Sequence, residues 1–285
     1  MNIRKYQGYL FVLPTVLLLL VILGFPAFMA ILNSVTPIWS EGFSFTIRNY
    51  VKLVHDPIFW NSFIKTIYFV GSIVFLHFLI ALPIAMALNS QIRARNFFRV
   101  LAILPWTMPD VISGLAWRYM LKPTQGIVNH ILMTLEITDN YISWLGNPKL
   151  AMPSVILAEV WRAYPFVMVI LLAGLQAIPQ QLYEAARVDG ASFFQTFRYI
   201  TIPQLKRPFA VALALDTIWE YRRFGVIYTM TKGGPGHATE VFSMRVYKEY
   251  FKFFNFEYAA TIAVVVAGVM LLITLPYVRM MVSEA

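Results

Sequence analysis

The chain has 285 residues, 59% of them hydrophobic and 13% charged, with a formal net charge of +9 and no cysteine; its mean hydropathy is +0.65. A soluble domain carries about a quarter charged residues, so an ordinary water-soluble globule is excluded, as are disulfides, thiolate catalysis and cysteine-held metals. Many basic residues flank apolar runs, which makes the positive charge a membrane feature and not a nucleic-acid footprint.

Apolar runs of about 20 residues, enough to cross a bilayer, recur at 9–32, 63–88, 98–121, 151–177, 209–230 and 258–282. The expected fold is therefore all-α, with about six membrane-spanning helices. The first run follows Arg4 and Lys5. It is too long for the apolar region of a signal peptide and lacks an obvious small-residue cleavage site, so a retained span is expected. Segment 89–97 holds Arg93 and Arg95, and Arg99 follows without a nearby acid. The third run is interrupted by Pro105, Pro109 and Asp110, which predicts a kinked helix lining a bundle interior.

Segment 178–207 carries Arg187, Arg198, Lys206 and Arg207. Short-loop basic residues mark the cytoplasmic side. With an even number of spans, both termini and these basic segments face the cytoplasm. Loops 33–62, 122–150 and 231–257 then lie outside. They are rich in aromatics, with Trp39, Trp60, Trp144 and Tyr250 placed to reach headgroup depth. The histidines, His55, His77, His130 and His237, are far apart and form no metal-ligand spacing.

Within 178–207, Pro179 precedes a run of good helix formers, 181–188. Gly190 permits the positive φ of a sharp stop. Ser192 is placed to cap a second short helix, 193–200, which Pro203 ends or kinks. Small alanines leave one face open to close approach by another protein.

Ionisable groups inside spans are costly, and are functional candidates for that reason. They are Asp110 in the third run, Glu159 and Arg162 in the fourth, and Asp216, Glu220, Arg222 and Arg223 in the fifth. Glu159 and Arg162 share a helix face and either neutralise each other or line a pathway. Asp216, Glu220 and Arg223 fall on one face, with Arg222 turned about 100° away. The aromatics Trp161, Tyr164, Trp219 and Tyr221 suit stacking on sugar rings and equally suit packing.

The run Glu184-Ala185-Ala186, then Gly190, then Ile200 and Pro203 resembles the cytoplasmic signature of ABC importer permeases, with Ile202 where leucine is usual. Leu13-Pro14, Phe25-Pro26, Leu104-Pro105, Trp219, Phe224, Ile227, Met230-Thr231 and Gly233-Gly234-Pro235 resemble the sugar-permease subfamily related to the maltose permeases. The subfamily usually shows Asn at Arg222 and Asp at Gly225, so both departures make this chain more positive.

The resemblance implies a type I ABC importer permease fold in a bacterial or archaeal cytoplasmic membrane. Residues 1–58 would form the first span and external loop, and 59–285 the permease core. It implies a chain that is not itself an enzyme, with no catalytic residue, metal or cofactor of its own. ATP and Mg would bind a dimer of cytoplasmic ATPase subunits, since no phosphate loop ending in Gly-Lys-Ser/Thr is present here. A second homologous permease subunit and an external substrate-binding protein complete the expected partners, besides membrane lipid; no nucleic acid is expected.

The coupling element would comprise Tyr183, Glu184, Ala185, Ala186, Asp189, Gly190, Ala191 and Ser192, with Glu184 and Asp189 fixing register. Arg187 either joins it or lies on a solvated face. The pathway would draw on Asp110, Glu159, Trp161, Arg162, Tyr164, Trp219, Glu220, Tyr221, Arg222 and Arg223. Gly233, Gly234 and Pro235 would face the binding protein. The expected cargo is a sugar, oligosaccharide or polyol, or alternatively an anionic derivative such as a sugar acid or glycerol phosphate. A secondary transporter would need a coupling-ion site and usually an internal repeat, and a membrane enzyme a catalytic cluster; neither is evident in the sequence.

Overall fold

The computed structural model describes residues 3–36 and 44–283, with side chains at 9, 11–36 and 44–275. Trp39 and the side chains of Arg4 and Lys5 therefore lie outside the described residues. Every regular element among the described residues is helical. In chain order these are α1 (Ile3–Leu19), a π turn (Leu20–Gly24), α2 (Phe25–Val35), α3 (Arg48–His55), α4 (Pro57–Asn89), α5 (Arg95–Thr107), α6 (Asp110–Met120), α7 (Ile127–Thr134) and α8 (Pro148–Ala177). After α8 come α9 (Gln180–Val188), α10 (Phe193–Thr196), a second π turn (Phe197–Thr201), α11 (Ile202–Gln204), α12 (Lys206–Tyr221), α13 (Gly225–Met230), α14 (Phe242–Phe251) and α15 (Phe256–Ser283).

Four helical stretches among the described residues are long and apolar enough to cross a bilayer: Phe11–Val35, Pro57–Asn89, Pro148–Ala177 and Phe256–Leu275. The third apolar run is not one straight helix: α5 and α6 together are apolar enough to cross a bilayer, but they are bent by 93° at the intervening residues, the geometry of a broken span or a re-entrant loop. Proline disfavours helical backbone in the residue before it. Met108 is accordingly extended, and Pro109 itself has ψ 142. The run expected at 209–230 also divides: α12 ends at Tyr221, and α13 starts at Gly225. No proline causes this second break. Arg222 leaves helical geometry, and the carbonyl of Arg223 accepts the Ser243 hydroxyl at 2.5 Å.

Each π turn stops two residues short of a proline, Pro26 and Pro203. A proline inside a helix has no N–H to give the carbonyl four residues back. Here the residue before each proline instead donates five residues back, Phe25 to Leu20 and Ile202 to Phe197. The wider turn lets the helix continue. The second short helix thus runs past the expected 193–200 to Gln204, with Pro203 inside it.

The chain divides into two compact units, Met1–Phe59 with Arg245–Val269, and Trp60–Met244 with Met270–Ala285. The first is tied by polar contacts. Asp56 accepts from the Tyr258 hydroxyl at 2.6 Å, the Arg245 guanidinium at 3.0 Å and the Ile58 N–H at 2.8 Å. Burial pushes the Asp56 carboxyl up, but these donors outweigh it and hold it below the usual carboxylate range.

The second unit is organised around α8. Asn147 opens that helix by accepting from Lys149 N at 2.9 Å, and Pro148 supplies a fixed φ at its first turn. Its inner half packs Val167, Met168, Leu171 and Leu175 against Ala81 and Ala85 of α4 and Ala212 of α12. Small residues on the neighbouring helices let backbones approach, which is how helices associate where lipid supplies no hydrophobic drive.

Candidate functional site

Two constructions stand out in the second unit. The first is the loop after α8. α9 closes in a Schellman geometry: Gly190 N bonds to Arg187 O at 3.2 Å and Ala191 N to Ala186 O at 2.9 Å. This geometry needs left-handed backbone at Gly190, whose φ is +74°. Ser192 then caps α10 with a reciprocal box, its hydroxyl accepting from Gln195 N and its own N–H donating to Gln195 Oε1 at 2.7 Å.

The loop is anchored on one side and open on the other. Ala186 is buried, and the Tyr183 hydroxyl meets Thr201 Oγ1 at 3.2 Å. Glu184, Ala185, Asp189, Gly190 and Ser192 are exposed, and Ala191 is half-buried. Glu184 accepts from Gln180 at 3.0 Å, which leaves it on the surface. Arg187 reaches back to the Tyr183 carbonyl at 3.4 Å. Val188, Phe193 and Phe194 are 87%, 77% and 71% exposed. Three large apolar side chains are thus held out beside a rigid helix stop, an exposure that marks a contact surface for protein or membrane. A cleft of about 990 Å³ opens beside it, lined among others by Gln91, Gln180, Tyr183, Arg187 and Phe193.

The second construction is a charged cluster inside the helical bundle. Glu159 and Arg162 pair as the sequence suggests, Arg162 Nη2 to Glu159 Oε1 at 2.5 Å. Arg223 reaches the same Glu159 oxygen with Nε at 3.0 Å and holds Glu220 with Nη2 at 2.6 Å. Asp110, at the start of α6, spans both guanidiniums: Oδ1 to Arg162 Nη1 at 3.1 Å, Oδ2 to Arg223 Nη1 at 3.4 Å. Charges from α6, α8 and α12 therefore meet at the two breaks in the spans. Glu159, Glu220 and Arg162 are buried, as such groups must be in a bilayer, where they pair with one another.

Asp216 does not join Arg223. It pairs with His77 of α4, Nδ1 lying 3.1 and 2.9 Å from its two oxygens. Sequence reasoning treated His77 only as a poor metal ligand. The signal was a lone imidazole inside the apolar run 63–88. Arg222 stands apart: it is exposed at the end of α12, its backbone N–H donates to the Trp219 carbonyl at 3.2 Å, and its guanidinium makes no hydrogen bond or ion pair among the described residues.

Among the aromatics, Trp161 packs edge-on to Trp117 with centroids 5.9 Å apart, and Trp219 tilts over Phe166 at 4.3 Å. Both keep part of their surface open. Tyr164 is turned to the Ala102 carbonyl, and Tyr221 is buried. Beyond α13, Gly233 is buried and Gly234 and Pro235 are half-buried. Thr239 ties this turn to Thr231 Oγ1 at 2.7 Å and to the Gly234 carbonyl at 2.9 Å, so Lys232, Gly236 and His237 are what it exposes.

Residues 77–282 match the family described as binding-protein-dependent transport system inner membrane component. The chain is 36% identical to the trehalose/maltose transport system permease protein of Thermococcus litoralis, over 95% of this chain and 92% of that protein. It is 31% identical to the sulfoquinovosyl glycerol transport system permease protein of Agrobacterium fabrum, covering 96% and 90%. Its fold matches a chain of a bacterial alginate ABC transporter solved with an alginate pentasaccharide-bound periplasmic protein: TM-score 0.83, 23% identity, 98% of this chain and 95% of that one.

Proposed function

This chain belongs to the binding-protein-dependent transport system inner membrane components, and from that membership we propose that it forms one half of the pathway of an ATP-driven importer of sugars, oligosaccharides or polyols. The observation that carries the reading is the loop of α9 and α10. It is stiffened by a helix stop and a capping box and offers exposed Glu184, Asp189, Val188 and Phe193 to a partner. A stiff lever with an adhesive end is what a protein needs to receive force from a separate motor.

In this reading α9 seats in a groove on a cytoplasmic ATPase dimer, which binds ATP and Mg. A homologous permease supplies the other half of the pathway. Both termini lie in the cytoplasm. The binding protein delivers cargo from outside, against the turn of Gly233, Gly234 and Pro235. The partly open faces of Trp161 and Trp219 suit stacking on sugar rings, while Tyr164 and Tyr221 serve packing.

Arg222 favours a second reading of the cargo. An exposed guanidinium with no partner among the described residues, set at a break in a span, is expensive unless water, headgroup or ligand meets it. Its planar fork suits a carboxylate, sulfonate or phosphate, which points to an anionic sugar derivative. The relative named for sulfoquinovosyl glycerol supports that class. The test is to purify the chain alone and in complex with its ATPase, sister permease and binding protein, then reconstitute the complex in vesicles. The chain alone should hydrolyse no ATP, and the vesicles should import a labelled sugar only with ATP and binding protein. Specific hydrolysis by the isolated chain, or import without nucleotide, would overturn the assignment.

A further inference from the structure

The charged cluster has an internal asymmetry. Glu159 and Glu220 are fully buried and face the two guanidiniums of Arg162 and Arg223. Two negative charges against two positive make that quartet neutral by itself. Asp110 is a third carboxylate, and its side chain is 36% exposed. It takes only the Nη1 atom of each arginine, at 3.1 and 3.4 Å. If Asp110 withdraws, Arg162 keeps Nη2 on Glu159 and Arg223 keeps Nε and Nη2 on Glu159 and Glu220. No buried guanidinium is stranded. Loss of either buried glutamate would leave uncompensated charge in the bilayer interior.

Asp110 is also the first residue of a separable piece. α6 begins directly after the 93° bend, and α13 begins directly after the break at Arg222. The two short helices pack together closely. A Cβ at Gly114 would run into Thr229, and one at Gly225 would lie 2.6 Å from Asp110 Cβ. Arg118 Nη1 binds the Thr229 carbonyl at 3.3 Å. The α6–α13 pair thus has its own packing, and its two connections to the spans meet at the cluster.

We propose that Asp110 is a releasable latch, a positioning residue that seats the α6–α13 pair on the neutral Glu159–Arg162–Glu220–Arg223 quartet in one transport state and leaves it in another. The proposal rests on the reading of the chain as an importer subunit. The quartet holds the bundle together in both states, and Asp110 is the contact that changes.

The experiment uses the complete transporter in lipid. This chain has no cysteine, so cysteines introduced at Leu115 of α6 and Leu157 of α8, both exposed, can carry a spin-label pair. The label distance is read without nucleotide and with trapped ATP. A distance that differs between the two states is expected. One fixed distance in a complex that still imports would overturn the latch and leave the importer reading intact; absence of ATP-driven import would remove the importer reading itself.

Asp110→Asn should assemble normally, raise ATP hydrolysis in the absence of binding protein, and shift the ratio of the two states by roughly 5- to 30-fold. Asp110→Glu should restore part of the dependence on binding protein. Wild-type hydrolysis and label distances in Asp110→Asn, or failure of that variant to assemble, would overturn the proposal, because the quartet is argued to stand without it.

Discussion

Replacing Gly190 isolates one physical term. Its φ of +74° lies in the left-handed region, and a Cβ built there meets no atom within 4 Å. Crowding therefore contributes nothing, and any loss must come from the backbone angle and its effect on the exposed face. The left-handed conformation costs an ordinary L-residue about 1–2 kcal/mol. A β-branched residue pays more, and Asn pays least. A cost of that size lowers the ratio of closed to open loops at Gly190 by roughly 5- to 30-fold. In the importer reading, the lever then reaches the proposed ATPase partner with the wrong end geometry. The assay is binding-protein-stimulated ATP hydrolysis by the reconstituted complex, with assembly measured on the same preparations. Stimulation should fall in the order Gly, Asn, Ala, Val while the bundle stays folded. Equal stimulation in Gly190→Val, or an Asn variant no better than Ala, would refute the argument that the turn geometry is what transmits force.

Glu159→Gln should cost about 3–5 kcal/mol, because Glu159 is fully buried between Arg162 and Arg223; thermal unfolding in detergent should show a much larger loss than in Asp110→Asn, and equal losses would contradict the neutral-quartet reading. Arg222→Asn should assemble normally and lower uptake of an acidic cargo by roughly tenfold; unchanged uptake would remove Arg222 from the pathway, and lost assembly would make it an ion pair with the sister subunit. Asp56 is held below the usual carboxylate range, so its contribution to stability is complete above the unfolded value of about 3.9 and fades as pH falls through the lower folded value. Thermal melts of Asp56→Asn should therefore lie below wild type at neutral pH and converge with it in acid; a constant offset down to strongly acidic pH would refute this.

The sequence determined whatever depends on local backbone or on one helix alone. The apolar runs specified helices that lipid can solvate. Pro109 ended α5 through its effect on Met108, and Gly190 and Ser192 specified the stop of α9 and the cap of α10. The Glu159–Arg162 pair was legible because three-residue spacing places both on one helix face.

Partners chosen across helices were not legible in this way. Helical spacing puts Asp216, Glu220 and Arg223 on a shared face, yet it cannot say that α4 brings His77 to Asp216, nor that α6 and α8 bring Asp110 and Glu159 to Arg223. The break at Arg222 was hidden for the same reason. No proline or glycine marks it from within; ion pairs with other helices and the Ser243 hydroxyl hold the freed backbone there. Local sequence set where helices start, turn and stop. Packing decided which buried charges meet, because in a low-dielectric interior the lowest-energy pairing is fixed by which helices come within hydrogen-bonding reach.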